Sequence, residues 1–383
     1  MSEAVPVRAA VWRRPGDPAS VEDVLLDPPR PGEVLVRVGA AGVCHSDLHL
    51  ADGHLGDRFP IVLGHEGAGV VETVGDGVHH LLPGDRVAFS FVPACGTCRY
   101  CKAGRANLCE ASADSSFRDR LLDGTLRLAG ADGTRLRQFL AVGCFAKRCV
   151  VPAACAVPIP HALPLWQAAL VGCAVVTGVG AVRNAARVRP GESVCVVGCG
   201  GVGLQVIAAA RIAGADPIIA VDRAPEKLER ARARGATHIV NADTQEVPST
   251  VLQLAAGGVD HAFEVVGRPE TIRLAWDCLR PGATAVVVGL APRGVDASVP
   301  AIDFLSEKSL KGCFYGSGNP AAEIAELALL VAEDRFDVAG TISHATDLDG
   351  VEDAFGRLRR GEGARTVLVL DEDLVGPLPS SLA

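Results

Sequence analysis

The chain has 383 residues, 49 % of them hydrophobic, and a formal net charge of −8; this is more than one hydrophobic core usually serves, so two domains are expected. Its charges are interspersed without a basic stripe, which excludes a nucleic-acid phosphate backbone as partner, and no apolar stretch reaches the roughly 20 uninterrupted residues of a spanning helix, which excludes a membrane. Thirteen cysteines, with no basic-then-apolar leader over residues 1–20, point to the reducing cytoplasm.

From the N-terminus, β-branched runs punctuated by Gly, Pro and Asp predict strands over 33–38, 69–74 and 83–88, the texture of a strand-rich barrel or sandwich. Two clusters rich in ligand-type side chains fall in this region, Gly42-Val43-Cys44-His45-Ser46-Asp47-Leu48-His49 and Gly64-His65-Glu66-Gly67-Ala68-Gly69. Cys95, Cys98, Cys101 and Cys109 follow in the spacing C-x2-C-x2-C-x7-C, compact enough to wrap one tetrahedral ion. Four soft thiolates leave no open coordination position, so a structural zinc is expected, holding shape and doing no chemistry. Disulfides at these positions would require a secreted chain.

Beyond Leu163 the texture changes. An Ala-rich stretch over 167–187 reads as helix, 193–197 as a buried strand, and 202–213 as a long helix. Strand 217–221, helix 225–234, strands 238–240 and 261–265, helix 270–279 and strand 284–288 follow, an alternation that predicts a parallel sheet with helices on both faces. A helix over 321–333 and a last strand over 366–370 allow the end of the chain to return to the first domain.

Gly198-Cys199-Gly200-Gly201-Val202-Gly203 directly follows the buried strand and opens the helix, the context that makes G-x-G-x-x-G a dinucleotide fingerprint. Gly198 permits the tight turn, Gly200 lets backbone approach a pyrophosphate, and Gly203 lets helix pack on strand, with the anion at the helix N-terminus. Asp222 ends the next strand, where an acidic residue binds the ribose diol. Its charge repels a 2′-phosphate, so NAD is favoured over NADP. Arg223 beside it is of the type that contacts such a phosphate, and Lys227 is placed either to bond the ribose or to sit on a solvated helix face.

With these motifs together, the chain resembles the zinc-dependent medium-chain alcohol dehydrogenases, from near its N-terminus to Thr366-Val367-Leu368. The resemblance implies a Rossmann doubly wound α/β domain over 175–316 and a discontinuous, strand-rich GroES-like catalytic domain over 1–174 and 317–383. It implies two zinc ions per chain and NAD, with Cys44, His65 and Cys173 as the catalytic zinc ligands. Three ligands leave a fourth position for substrate, and two thiolates with an imidazole suit zinc as a Lewis acid. Ser46 and His49 resemble the family's proton relay, a hydroxyl and a titratable imidazole suited to neutral pH. Glu66 is expected behind the zinc, and Asp47 to bond a ligand imidazole and pair with Arg365, whose family counterpart reaches the cofactor pyrophosphate. Thr177 is a further expected cofactor contact. His45 stands where many relatives have an arginine against the pyrophosphate.

Leu55, Phe91, Phe139, Leu140 and Leu290 match pocket-lining positions and describe an apolar slot for primary medium-chain, allylic or benzylic alcohols and their aldehydes. The segment 111–138 resembles the longer loop of dimeric relatives, so a homodimer is expected. Three other functions fit the same motifs: oxidation of the formaldehyde adduct of a cellular thiol, a nicotinoprotein holding NAD permanently, and a zinc-stabilised NAD-binding sensor without turnover. His49 argues against the first, whose branch usually has tyrosine there, and intact ligand and relay positions argue against the last.

Overall fold

The computed structural model describes residues 3–379. The chain divides into two compact units: one runs up to Cys173 and resumes at Gly318, the other is Ala174–Ser317.

In the first unit, strands Val5–Trp12, Ser20–Leu26, Ile61–Val62, Leu128–Ala129 and Arg135–Gln138 close a small barrel, and seven further strands form a second sheet. The centre of that sheet is the 11-residue strand Glu33–Val43. It pairs antiparallel with Glu66–Val74, with Arg148–Pro152 and, near its end, with Arg365–Val369. The registers Gly42↔Glu66 and Val43↔Thr366 bring three strand ends to one place. The strand expected over 83–88 is shifted to Arg86–Phe89, because Gly84 turns at φ 97° and the Asp85 carboxylate accepts from Leu82 N–H at 2.8 Å, closing a turn where extended chain was read. The strands Val5–Trp12 and Ser20–Leu26 were not legible, since their mixed polar and apolar residues follow no strict alternation.

The second unit is one six-stranded parallel sheet in the order His238–Asn241, Ile218–Asp222, Val194–Val197, Val259–Glu264, Leu279–Val287, Ser309–Gly312. The order reverses between Val194–Val197 and Val259–Glu264, the switch point at which such sheets bind ligands. Trp276, Val240, Val259 and Leu279 are buried in its core, where each fully buried aliphatic side chain contributes about 1.5–3 kcal/mol. Helix Val247–Leu254, started by Glu246 accepting from Ser249 N–H, and the edge strand Ser309–Gly312 are elements the sequence reading lacked.

Residues 165–186 form one helical run that opens after Pro164, includes π turns at Val171–Val175 and Ala181–Ala186, and stops where Arg187 turns left-handed. By length and mean composition alone its 22 residues could cross a bilayer, but Gly172, Gly178, Gly180 and Arg183 interrupt it, as expected, and 83 % of its most apolar window is buried within the protein. The Ala and Gly residues that interrupt its hydropathy are what allow close packing. At Gly172 a Cβ would collide with the carbonyl oxygen of Phe89.

Candidate metal centres and dinucleotide site

Cys44 ends the strand Glu33–Val43 and caps the helix His45–Ala51; His65 immediately precedes Glu66–Val74; Cys173 lies in the first π turn of the long helical run. The two Sγ atoms and a ring nitrogen of His65 all lie within 4.8 Å of one another, and all three residues are buried. Asp47, itself fully buried, organises this corner. Its Oδ1 accepts from Gly64 N–H at 2.9 Å and from His65 Nδ1–H at 3.1 Å, and its Oδ2 accepts from Cys44 N–H at 3.3 Å. With Nδ1 occupied, the His65 Nε2 lone pair is the one left for a cation. Phe91 and Phe139 meet the imidazole edge-on at 5.3 and 5.4 Å, closing an apolar surround.

None of the thirteen cysteines is in a disulfide. A hydrogen bond from Cys173 holds the Cys44 thiol well below its ordinary range against the effect of burial, helped by the Arg365 charge; the same bond, with burial, raises Cys173. The one bond thus acts in opposite directions on the two thiols, and a divalent cation binding both would displace their protons. Buried donors of type S, S and N converging at one point fit zinc at a three-ligand site.

The expected Asp47–Arg365 pair is corrected. Arg365 Nη1 lies 3.2 Å from Glu66 Oε2 and donates to Val43 O at 3.1 Å; both residues are buried. Asp47 is already committed to three donors, whereas Glu66 faces Arg365 across the strand Glu33–Val43 that pairs with both their strands. A Cβ on Gly42 would run into the Glu66 carboxylate, which explains glycine there.

Cys95, Cys98, Cys101 and Cys109 bring four sulfurs within 4.8 Å of one another. Backbone N–H groups of Cys95 and Cys98 point at Cys109 Sγ and Cys95 Sγ at 3.3 and 3.4 Å. With the Thr97 hydroxyl, such donors push Cys95 down to about 6, the thiolate form that zinc binding needs.

Ser46 Oγ is 3.8 Å from Cys44 Sγ. His49 Nδ1 is 3.2 Å from Nδ1 of His54, and its ring centroid is 6.5 Å from that of His45. Burial, then His54, lowers His49 below the usual histidine value. His54 was missed by sequence reasoning, although its position just past the end of the helix, five residues on, was a readable signal. Leu55 is half-buried, Phe91 and Phe139 are buried, and Leu140 and Ala141 are consecutive left-handed residues at φ 52° and 60°, a conformation costing on the order of 1 kcal/mol for each non-glycine residue. Asp119, whose Oδ1 accepts from Leu140 N–H at 3.1 Å, carried no local signal at all.

In the second unit, Gly198 turns at φ 99° and helix Gly201–Ile212 begins at once. A Cβ on Gly203 would clash with the Gly198 carbonyl, so glycine there sets the helix against the strand. Gly200 has open space around its Cα, and Val202 lies in the first helical turn. Asp222 Oδ2 accepts from Cys199 N–H at 2.7 Å, and Oδ1 from Arg223 and Ala224 N–H at 2.8 and 3.0 Å. Arg223 extends to Asp243 at 2.6 Å. Lys227 and Thr177 are half-buried, and Leu290 is exposed.

Residues 30–161 match the alcohol dehydrogenase GroES-like domain and residues 201–333 the zinc-binding dehydrogenase domain. The chain is 35 % identical over 365 residues to an S-(hydroxymethyl)glutathione dehydrogenase of Escherichia coli O1:K1 / APEC, covering 94 % of this chain and 99 % of that protein. It is similar to the crystal structure of an alcohol dehydrogenase zinc-binding domain protein from Burkholderia ambifaria, with TM-score 0.92 and 35 % identity over 97 % of this chain and 100 % of the other. It is likewise similar to benzyl alcohol dehydrogenase from Acinetobacter calcoaceticus, with TM-score 0.90 and 31 % identity over 96 % and 100 % of the two chains. The chain belongs to the zinc-dependent medium-chain alcohol dehydrogenase family of oxidoreductases.

Proposed function

We propose that this enzyme interconverts a primary alcohol carrying an apolar or aromatic tail and its aldehyde, with NAD as the hydride carrier and Cys44, His65 and Cys173 as the ligands of the catalytic zinc. The observation that carries this reading is the buried S, S, N donor set beside two phenyl edges. Zinc held there supplies a Lewis acid at its fourth position, and NAD the hydride acceptor. Asp47 fixes His65 in the Nδ1–H tautomer, so that the ligand nitrogen is aimed before any cation arrives. Ser46, two residues from Cys44, takes the alcohol proton, and His49 passes it to solvent. Its lowered pKa keeps it neutral, and able to accept, above about pH 6.5. Glu66 neutralises Arg365 beneath the site.

In the second unit the Gly198–Gly203 turn cradles the pyrophosphate at the helix N-terminus, and Asp222 holds the ribose diol. Three backbone donors leave the Asp222 carboxylate lone-pair capacity for a hydroxyl, and its charge disfavours NADP. Arg223, the cation that would favour a 2′-phosphate, is turned to Asp243. His45, Lys227, Thr177 and Arg365 are assigned supporting roles around the cofactor, and Leu55, Leu140 and Leu290 the apolar walls.

A second reading, oxidation of S-(hydroxymethyl)glutathione, draws support from the 35 % identity to the relative of that name. A panel of ethanol, hexanol, cinnamyl alcohol, benzyl alcohol and S-(hydroxymethyl)glutathione, followed by NADH absorbance with and without an artificial acceptor, separates the readings. Highest kcat/KM on benzyl or cinnamyl alcohol is expected; preference for the glutathione adduct selects the second reading. Turnover only with the artificial acceptor selects a nicotinoprotein, and none with any substrate leaves the sensor.

We also propose a homodimer in a reducing compartment. Among the described residues the edge strand Ser309–Gly312 pairs on one side only, and Leu310 on it and Ile302, Phe304 and Leu305 in the helical turn that precedes it in sequence are exposed, the kind of edge that pairs with a second copy. Light scattering should give twice the chain mass, and Leu310→Arg should give monomers.

A further inference from the structure

Phe139 and Leu140 keep their place through backbone that side-chain-bearing residues avoid. Leu140, Ala141 and Asp119 are all left-handed, at φ 52°, 60° and 56°. Such geometry persists only where its surroundings over-determine it. Here the determinant is one buried carboxylate. Asp119 is fully buried; its Oδ1 accepts from Leu140 N–H at 3.1 Å and its Oδ2 lies 2.8 Å from Arg58 Nη1. Its backbone carbonyl accepts from Gln138 N–H at 3.3 Å, the residue before Phe139. Arg58 is anchored in turn by donating to Phe117 O at 2.7 Å. The turn so fastened carries the Phe139 ring that meets His65 edge-on.

We infer that Asp119, braced by Arg58, is a positioning residue that fixes the Phe139–Leu140 wall of the alcohol pocket and thereby sets the preference for aromatic over small alcohols. The inference rests on the pocket proposed above. A wall anchored through a backbone N–H cannot drift, so an aromatic tail finds a preformed surface; a wall released from it costs such a tail its contacts while leaving ethanol, which is too small to use them, nearly unaffected. Arg58 and Arg137 are the charged groups facing Asp119. Burial pushes its carboxyl up to about 6 against their pull and that of the Leu140 N–H. The brace is therefore ionised near neutral pH and weakens as a proton is taken up below.

The test compares kcat/KM for benzyl alcohol and for ethanol in wild type, Asp119→Ala and Asp119→Asn. In the alanine variant the benzyl-to-ethanol ratio should fall roughly tenfold, mostly through the KM for benzyl alcohol, with kcat on ethanol within about twofold of wild type. Asparagine keeps an oxygen for Leu140 N–H and loses the charge facing Arg58, so it should fall between, and it carries the test alone if the alanine variant does not fold. The wild-type ratio should also drop between about pH 7.5 and about pH 5.5 while that of Asp119→Asn stays flat, since groups acting on both alcohols alike cancel in the ratio. An unchanged ratio in the variants, or the same pH dependence in Asp119→Asn, overturns the inference while leaving the proposed function standing. A wild-type enzyme that oxidises neither alcohol overturns the proposed function and this inference with it.

Discussion

Asp47 and His65 are bonded through Oδ1 and Nδ1 at 3.1 Å, inside the protein and away from water. The same carboxylate also takes the backbone N–H of Cys44 and of Gly64, so one side chain orients two of the three converging donors. Carboxylates in this position typically account for 10- to 100-fold in metal affinity, and we expect a loss of about that size for Asp47→Ala. Competition against a chromogenic zinc chelator measures it. Undiminished affinity would mean that the strand ends alone position Cys44 and His65.

The four-cysteine lobe is expected to serve shape alone. Cys98→Ser should lower zinc content by one ion per chain and reduce the melting temperature by roughly 5 °C or more. Protein that remains folded at low temperature should keep its KM for alcohol. Elemental analysis with calorimetry reads both effects, and a raised KM without lost stability would contradict a purely structural ion.

Replacing His49 should change the shape of the pH profile as well as the rate. In wild type, His49 titrates below the usual histidine value, so kcat should be level above about pH 6.5 and fall as acid protonates the acceptor. His49→Gln should be slower by about tenfold at neutral pH, at the low end for a lost proton acceptor because water reaches this half-exposed site. Its kcat should rise with pH throughout. A parallel profile in the variant would remove His49 from the relay.

Cofactor choice should turn on Asp222. Asp222→Gly removes the charge that opposes a 2′-phosphate and frees three backbone N–H groups, those of Cys199, Arg223 and Ala224. The NADP-to-NAD ratio of kcat/KM should rise on the order of 10²-fold, as expected when a like-charge contact worth several kcal/mol is deleted. Steady-state kinetics with both cofactors decides it; a constant ratio would place discrimination elsewhere.

The fold class and the family were legible because their signals are local. A buried β-branched run meeting glycines and then an Ala-rich helix can hardly form anything but a strand–turn–helix, and cysteines with two residues between them can reach one ion whatever surrounds them. Less was legible where composition is ambiguous. Ser309–Gly312 contributes only Ser, Leu, Lys and Gly, and it becomes a strand because Leu279–Val287 offers an open edge.

By its own local chemistry the sequence determined the dinucleotide turn, the four-cysteine lobe and the membership they announce. Only tertiary structure decided what happens between residues distant along the chain. Cys44, His65 and Cys173 meet because strand registers and a helix bring them together; nothing in their spacing requires it. Arg365 faces Glu66 in place of Asp47 because Asp47 had already been taken by three donors, a competition invisible until all of them are placed. Asp119 braces Leu140, 21 residues away along the chain, and such a contact exists only once burial has removed water as its rival partner.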